Sequence, residues 1–140
     1  MVVWRANQGT GMTTELTVLA YAGLLQILQF TLFSVAANLQ IGPVRAMSPR
    51  DDKIELTGKA GRLQRAMNNH FEALILFTIA VVVVTLGDKG NGFTANCAWA
   101  YLIARILYVP AYVFGLSPWR SLIWFVGLIA TFLMIAVSLL

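Results

Sequence analysis

From Leu16 to Leu39 the chain carries no charged residue, and this run decides more about the fold than any other feature. A helix crossing a bilayer needs roughly 20 mostly apolar residues. Such a stretch has no stable place on a water-facing surface. Three further stretches follow. Phe71–Leu86 holds only Glu72 and reaches spanning length if its helix starts earlier, near Gly61. Phe93–Leu116 holds only Arg105, and Trp119–Leu140 only Arg120. The sequence therefore predicts an all-α integral membrane protein built as a four-transmembrane-helix bundle, one domain over residues 1–140.

Composition agrees. Charged residues make up 11% of the 140 residues, where a soluble domain uses about 25%, and hydrophobic residues make up 59%. The net charge of +4 is too small and too local for a nucleic-acid binder. Cys97 is the single cysteine, so neither an internal disulfide nor a cysteine metal cluster can form, and it reads as a small core residue. Nothing resembles a metal site, a Walker loop or a serine triad.

Turn chemistry separates the spans. Ile41-Gly42-Pro43 stops the first, and Gly87–Gly92 forms a tight polar hairpin. Ser117-Pro118 restarts the fourth, with Ser117 expected at the N-cap and Pro118 in the first turn. The first apolar run is too long for a signal-peptide core of about 7–15 residues and reads as an uncleaved span. Met12-Thr13-Thr14-Glu15 looks like a natural start, which makes residues 1–12 a flexible extension. Arg45, Arg50, Lys53, Lys59 and Arg62 concentrate positive charge in the first loop. The positive-inside rule then puts that loop in the cytoplasm and both termini outside.

Polar residues inside the spans are not scattered. Arg62, Arg65, Asn69 and Glu72 are spaced by three, four and three, so they share one helix face. Arg105, Tyr108 and Tyr112 repeat the pattern on the third span, and Arg120-Ser121 open the fourth. A carboxylate in hydrocarbon needs a partner, and Arg105 is the expected one for Glu72. Arg65, Arg105 and Arg120 approach one end of the bundle from three spans. The expected product is a cationic, partly buried pocket for an anionic ligand. His70, one residue off that face, reads as packing or interfacial rather than as a ligand. Val81–Val84 and the fourth span have no polar face and suit lipid or protein equally.

These motifs carry a resemblance to the membrane-associated proteins in eicosanoid and glutathione metabolism, the MAPEG family. Arg65-Ala66-Met67-Asn68-Asn69-His70-Phe71-Glu72, with Phe77 beyond, resembles the family signature. Arg105–Tyr112 and Pro118-Trp119-Arg120-Ser121 supply a second and third match. The resemblance implies a homotrimer that binds glutathione, as co-substrate and without metal, between subunits near the cytoplasmic face. It implies that Arg65, Asn69, Glu72 and Tyr112 hold the peptide and that Arg105 supports the site. Tyr108 lies beside them, where some members carry histidine. Arg120 matches the arginine that stabilises the thiolate, and Ser121 a serine discussed for the same role. Asn68 and Tyr108 depart from the eicosanoid-forming members and point to the bacterial-type branch, hence to a bacterial inner membrane. The implied activity is a glutathione transferase or peroxidase acting on a lipophilic electrophile or hydroperoxide. The rival expectation is a non-catalytic accessory subunit of a larger membrane complex, with the pocket empty or filled by lipid.

Overall fold

In the computed structural model, which describes residues 11–47 and 55–140, five helices appear. They are α1 (Thr14–Ile41), α2 (Pro43–Met47), α3 (Gly58–Leu86), α4 (Gly92–Val113) and α5 (Trp119–Ser138). No strand occurs among the described residues. Of the expected extension over residues 1–12, residues 1–10 lie outside the described residues. Arg50 and Lys53 also fall outside them.

Local chemistry sets each boundary. Thr13 caps α1, its hydroxyl accepting from the Leu16 amide at 3.3 Å. Gly42 ends α1 at a φ of 85°, which an L side chain adopts only with strain. Thr57 precedes α3 but offers it no side-chain cap. Gln40 pins this point instead: its amide donates to the Thr57 carbonyl at 3.0 Å and accepts from the Thr57 N–H at 2.9 Å. The hairpin between α3 and α4 closes as the sequence predicts. Asn91 and Thr94 then form a reciprocal capping box that starts α4.

The second span is longer than its apolar core suggests, because α3 already begins at Gly58. The expected role of Ser117 is corrected. Pro118 occupies the N-cap of α5, and its carbonyl accepts from the Ser121 and Leu122 amides at 3.1 and 3.3 Å. α5 has no side-chain cap, and Gly115 takes a φ of 67° in the turn that precedes it.

α3 and α4 touch each other, and each also touches α1 and α5, while α1 and α5 do not meet. Among the described residues α2 packs only on α1. Small side chains let the backbones approach: Ala22, Ala80, Ala98 and Ala130 are buried where the helices cross. Phe77 and Tyr101 stack at 3.9 Å between nearly parallel rings at the centre of the bundle. Large apolar side chains point outward instead. Leu24, Ile27, Phe30, Ile75, Ile103, Phe125 and Phe132 are all exposed. In water this arrangement would be untenable, whereas in lipid it is the expected one. α1, α3 and α5 are each long and apolar enough to cross a bilayer.

Candidate functional site

The start of α3, the end of α4 and the start of α5 meet at one end of the bundle. Tyr112, half-buried on α4, organises this end. Arg65 Nε donates to the Tyr112 hydroxyl at 3.2 Å, and its guanidinium lies 6.0 Å from the ring centre. Arg120, from α5, places its guanidinium 4.9 Å from the same ring. Two cations from two helices therefore share one aromatic face system. Tyr108, one turn earlier and buried, sits 5.6 Å from Tyr112 by ring centres, and Arg105 lies 4.4 Å from the Tyr108 ring. Arg65 and Arg120 meet at Tyr112 and Arg105 reaches the neighbouring Tyr108, but Arg65 is exposed on the outside of this end. Two contacts brace this end: Arg62 Nη1 donates to the Val113 carbonyl at 3.4 Å, and Lys59 stands 5.3 Å over the Phe114 ring.

Between these groups lies a cavity of about 240 Å³, lined by Asn69, Tyr108, Tyr112, Arg120, Ser121 and Trp124. A second cavity of about 140 Å³ lies deeper and shares Asn69 and Trp124 with the first. Glu72, Tyr101, Arg105 and Thr131 contribute to its wall. The Asn69 side-chain carbonyl, buried at the junction, has no hydrogen-bond partner. Among the described residues no carboxylate pairs with Arg65, Arg105 or Arg120. A cluster of guanidinium groups without counterions is suited to receive an anion.

The expected Glu72–Arg105 ion pair does not form. Glu72 is exposed on the outer face of α3, while Arg105 is 2% exposed and turned inward. Arg105 Nε donates instead to His70 Nδ1 at 3.2 Å. His70 is fully buried, and its Nε2 meets the Ala22 carbonyl at 3.1 Å. These two bonds fix the proton on Nε2 and leave Nδ1 as acceptor, so the ring is neutral. The relay ties α1, α3 and α4 together through one side chain. Spacing alone misplaced it: Glu72 shares the polar face with Arg65 but stays exposed, while His70, one residue off that face, takes the buried position beside Arg105.

Two site residues escaped the sequence reading. Trp124 follows Arg120 by four, and Tyr101 precedes Arg105 by four, so each extends a stripe already identified. Both are aromatic, and an aromatic residue in an apolar span gives no distinct signal.

Fold and site together define an α-helical integral membrane protein with a cationic pocket at one end. A family model for the MAPEG family matches residues 18–140, and the chain belongs to that family. Neither the curated proteins nor the solved structures contain a match.

Proposed function

We propose that the protein is a glutathione-dependent membrane enzyme of the transferase or peroxidase type, and that it works as a homotrimer. The observation that carries this reading is the approach of Arg65 and Arg120 to one tyrosine, with no carboxylate partner, beside the unpartnered Asn69 carbonyl. The MAPEG family includes glutathione-dependent transferases and peroxidases. Arg65, Asn69, Glu72 and Tyr112 hold the tripeptide on this reading: guanidinium for carboxylate, carbonyl and carboxylate for ammonium. Arg105 supports the pocket through Tyr108.

A free thiol has a pKa near 8.5, so little thiolate exists at neutral pH. The Arg120 guanidinium and the Ser121 hydroxyl, at the start of α5, favour the anion. Lowering that pKa by about two units needs about 2.7 kcal/mol of preferential stabilisation. The second cavity, which shares Asn69 and Trp124 with the one at Arg120, is lined by Leu76 and Leu128, both exposed on the apolar flank, and gives a lipophilic electrophile or hydroperoxide a route from the membrane. On this reading α4 makes the fourth crossing, the first loop is cytoplasmic, both termini are outside, and the membrane is a bacterial inner membrane.

The test is glutathione conjugation of a chlorinated nitrobenzene, with reduction of a lipid hydroperoxide, by the protein purified in detergent. Glutathione binding with activity lost in Arg120→Ala is the expected result. Absence of glutathione binding in the wild type removes the proposal. The breadth of the exposed apolar faces favours a second reading, an accessory subunit of a larger membrane complex. Stable co-purification with that complex, together with no glutathione binding, is its signature.

A further inference from the structure

Lys59 and Arg62 stand three residues apart at the start of α3, so they share a face, and both are exposed. Neither lines the cavities described above. Both reach the turn that follows α4. Lys59 Nζ lies 5.3 Å from the centre of the Phe114 ring, and Arg62 Nη1 donates to the Val113 carbonyl at 3.4 Å. Gly115 leaves room for the guanidinium, since a Cβ there would stand 3.3 Å from Arg62 Nη1. Two cations from one helix are thus held over Val113, Phe114 and Gly115. Among the described residues no carboxylate pairs with either, not even Glu55, four residues before Lys59 and exposed.

The position of Lys59 runs against the field of its own helix. A helix N-terminus carries a partial positive charge, and α3 has neither an acidic residue in its first turn nor a side-chain cap. Its first amides stay open to an acceptor, beside two cations that lack one. A phosphate group of net negative charge supplies what all of them need.

The surroundings say what that phosphate is attached to. From Phe114 an exposed apolar stripe runs along α4 through Pro110, Leu107, Ile106 and Ile103. At 1.5 Å per residue it covers about 16 Å, close to one leaflet's half of a hydrocarbon core about 30 Å thick. Trp119, exposed at the start of α5, adds an aromatic residue at the same end. A soluble anion would use the cations and leave the stripe bare. A zwitterionic lipid would bring its own cation beside Lys59 and Arg62. An anionic phospholipid matches both halves of the surface, its head on the cations and an acyl chain along the stripe.

We propose that the start of α3 and the turn after α4 form a docking surface for an anionic phospholipid, with the headgroup phosphate at Lys59 and Arg62. The inference goes beyond the enzymatic reading and needs no glutathione. Native mass spectrometry of the intact protein, released from detergent, tests it with phosphatidylglycerol and phosphatidylcholine of identical acyl chains. A basic side chain at an anionic lipid surface strengthens binding about fivefold, so two predict a preference of roughly ten- to twentyfold for phosphatidylglycerol. Lys59→Gln with Arg62→Gln should bring the two lipids to within about twofold of each other. Both side chains are exposed, so helicity by circular dichroism should not change. Lys59→Arg with Arg62→Lys keeps both charges and should keep the preference. Lys89→Gln, which removes a charge at the opposite end of α3, should leave it as it is. Excess inorganic phosphate should not displace the lipid, because it cannot use the stripe.

Equal binding of the two lipids by the unaltered protein overturns the proposal. So does a preference that survives Lys59→Gln with Arg62→Gln; if that preference falls in Arg120→Gln instead, the lipid occupies the cationic pocket. Displacement by inorganic phosphate assigns the two cations to a soluble anion and overturns the proposal as well.

Discussion

Replacing His70 with leucine should destabilise the bundle by about 3–4 kcal/mol, and removing Arg105 as well should return part of that loss. His70 is fully buried, and it is the acceptor for Arg105 Nε. A hydrogen bond to a charged group contributes about 1.5–3 kcal/mol. Its loss would leave Nε and Nη2 of one buried guanidinium unpaired, because Nη2 already has no partner. Removing one partner from a buried charged pair typically costs about 3–5 kcal/mol. The Ala22 carbonyl, the other partner of His70, lies within α1 and keeps its helical bond, so it adds little. Arg105→Leu alone should cost less, about 1–3 kcal/mol, for an acceptor left unpaired on His70. The double variant should be more stable than His70→Leu, with a coupling of about 1.5–3 kcal/mol. Helicity followed by circular dichroism through a sodium dodecyl sulfate titration in mixed micelles measures all four corners of the cycle. Additive single effects would refute the relay.

Other expectations test separate parts of the molecule. At the opposite end, Thr94 donates from its hydroxyl to the buried Glu15 carboxylate at 2.6 Å, so Thr94→Val should cost about 1.5–3 kcal/mol. Amide hydrogen exchange should accelerate in the first turns of α1 and α4 and nowhere else. Two helical glycines should respond in opposite directions to alanine. At Gly127 a methyl would meet Tyr101, Ala104 and Arg105 at ordinary contact distances of 3.7–3.8 Å, so Gly127→Ala should stabilise by about 0.5–1 kcal/mol. At Gly61 it would run into the Leu56 backbone carbonyl, so Gly61→Ala should destabilise by about 1–3 kcal/mol. Unfolding titrations compare the pair directly. Tyr112→Phe removes the acceptor of Arg65 Nε but keeps the ring between the guanidinium groups. Calorimetry should show glutathione binding weakened about three- to tenfold, and much less than in Tyr112→Ala.

Much of this protein follows from residue order alone. A charge-free run such as Leu16–Leu39 can satisfy its backbone in lipid only as a helix. The helix stops at Gly42 and Gly87 are local events, set by backbone conformation within a few residues. The cationic stripe was legible for the same reason: helical periodicity puts Arg65 with Asn69, and Arg105 with Tyr108 and Tyr112, before any packing is known. Tertiary structure decided which stripe faces which neighbour. Periodicity states that residues share a face but not the direction of that face, so Glu72 looked like the partner of Arg105. The rotation of α3 instead turned His70 inward and Glu72 outward. That rotation is fixed by small side chains such as Ala66, Ala80 and Ala98, which let α1, α3 and α4 close together. The cavities depend on the same contacts, because an enclosed space exists only where several helices fail to fill it.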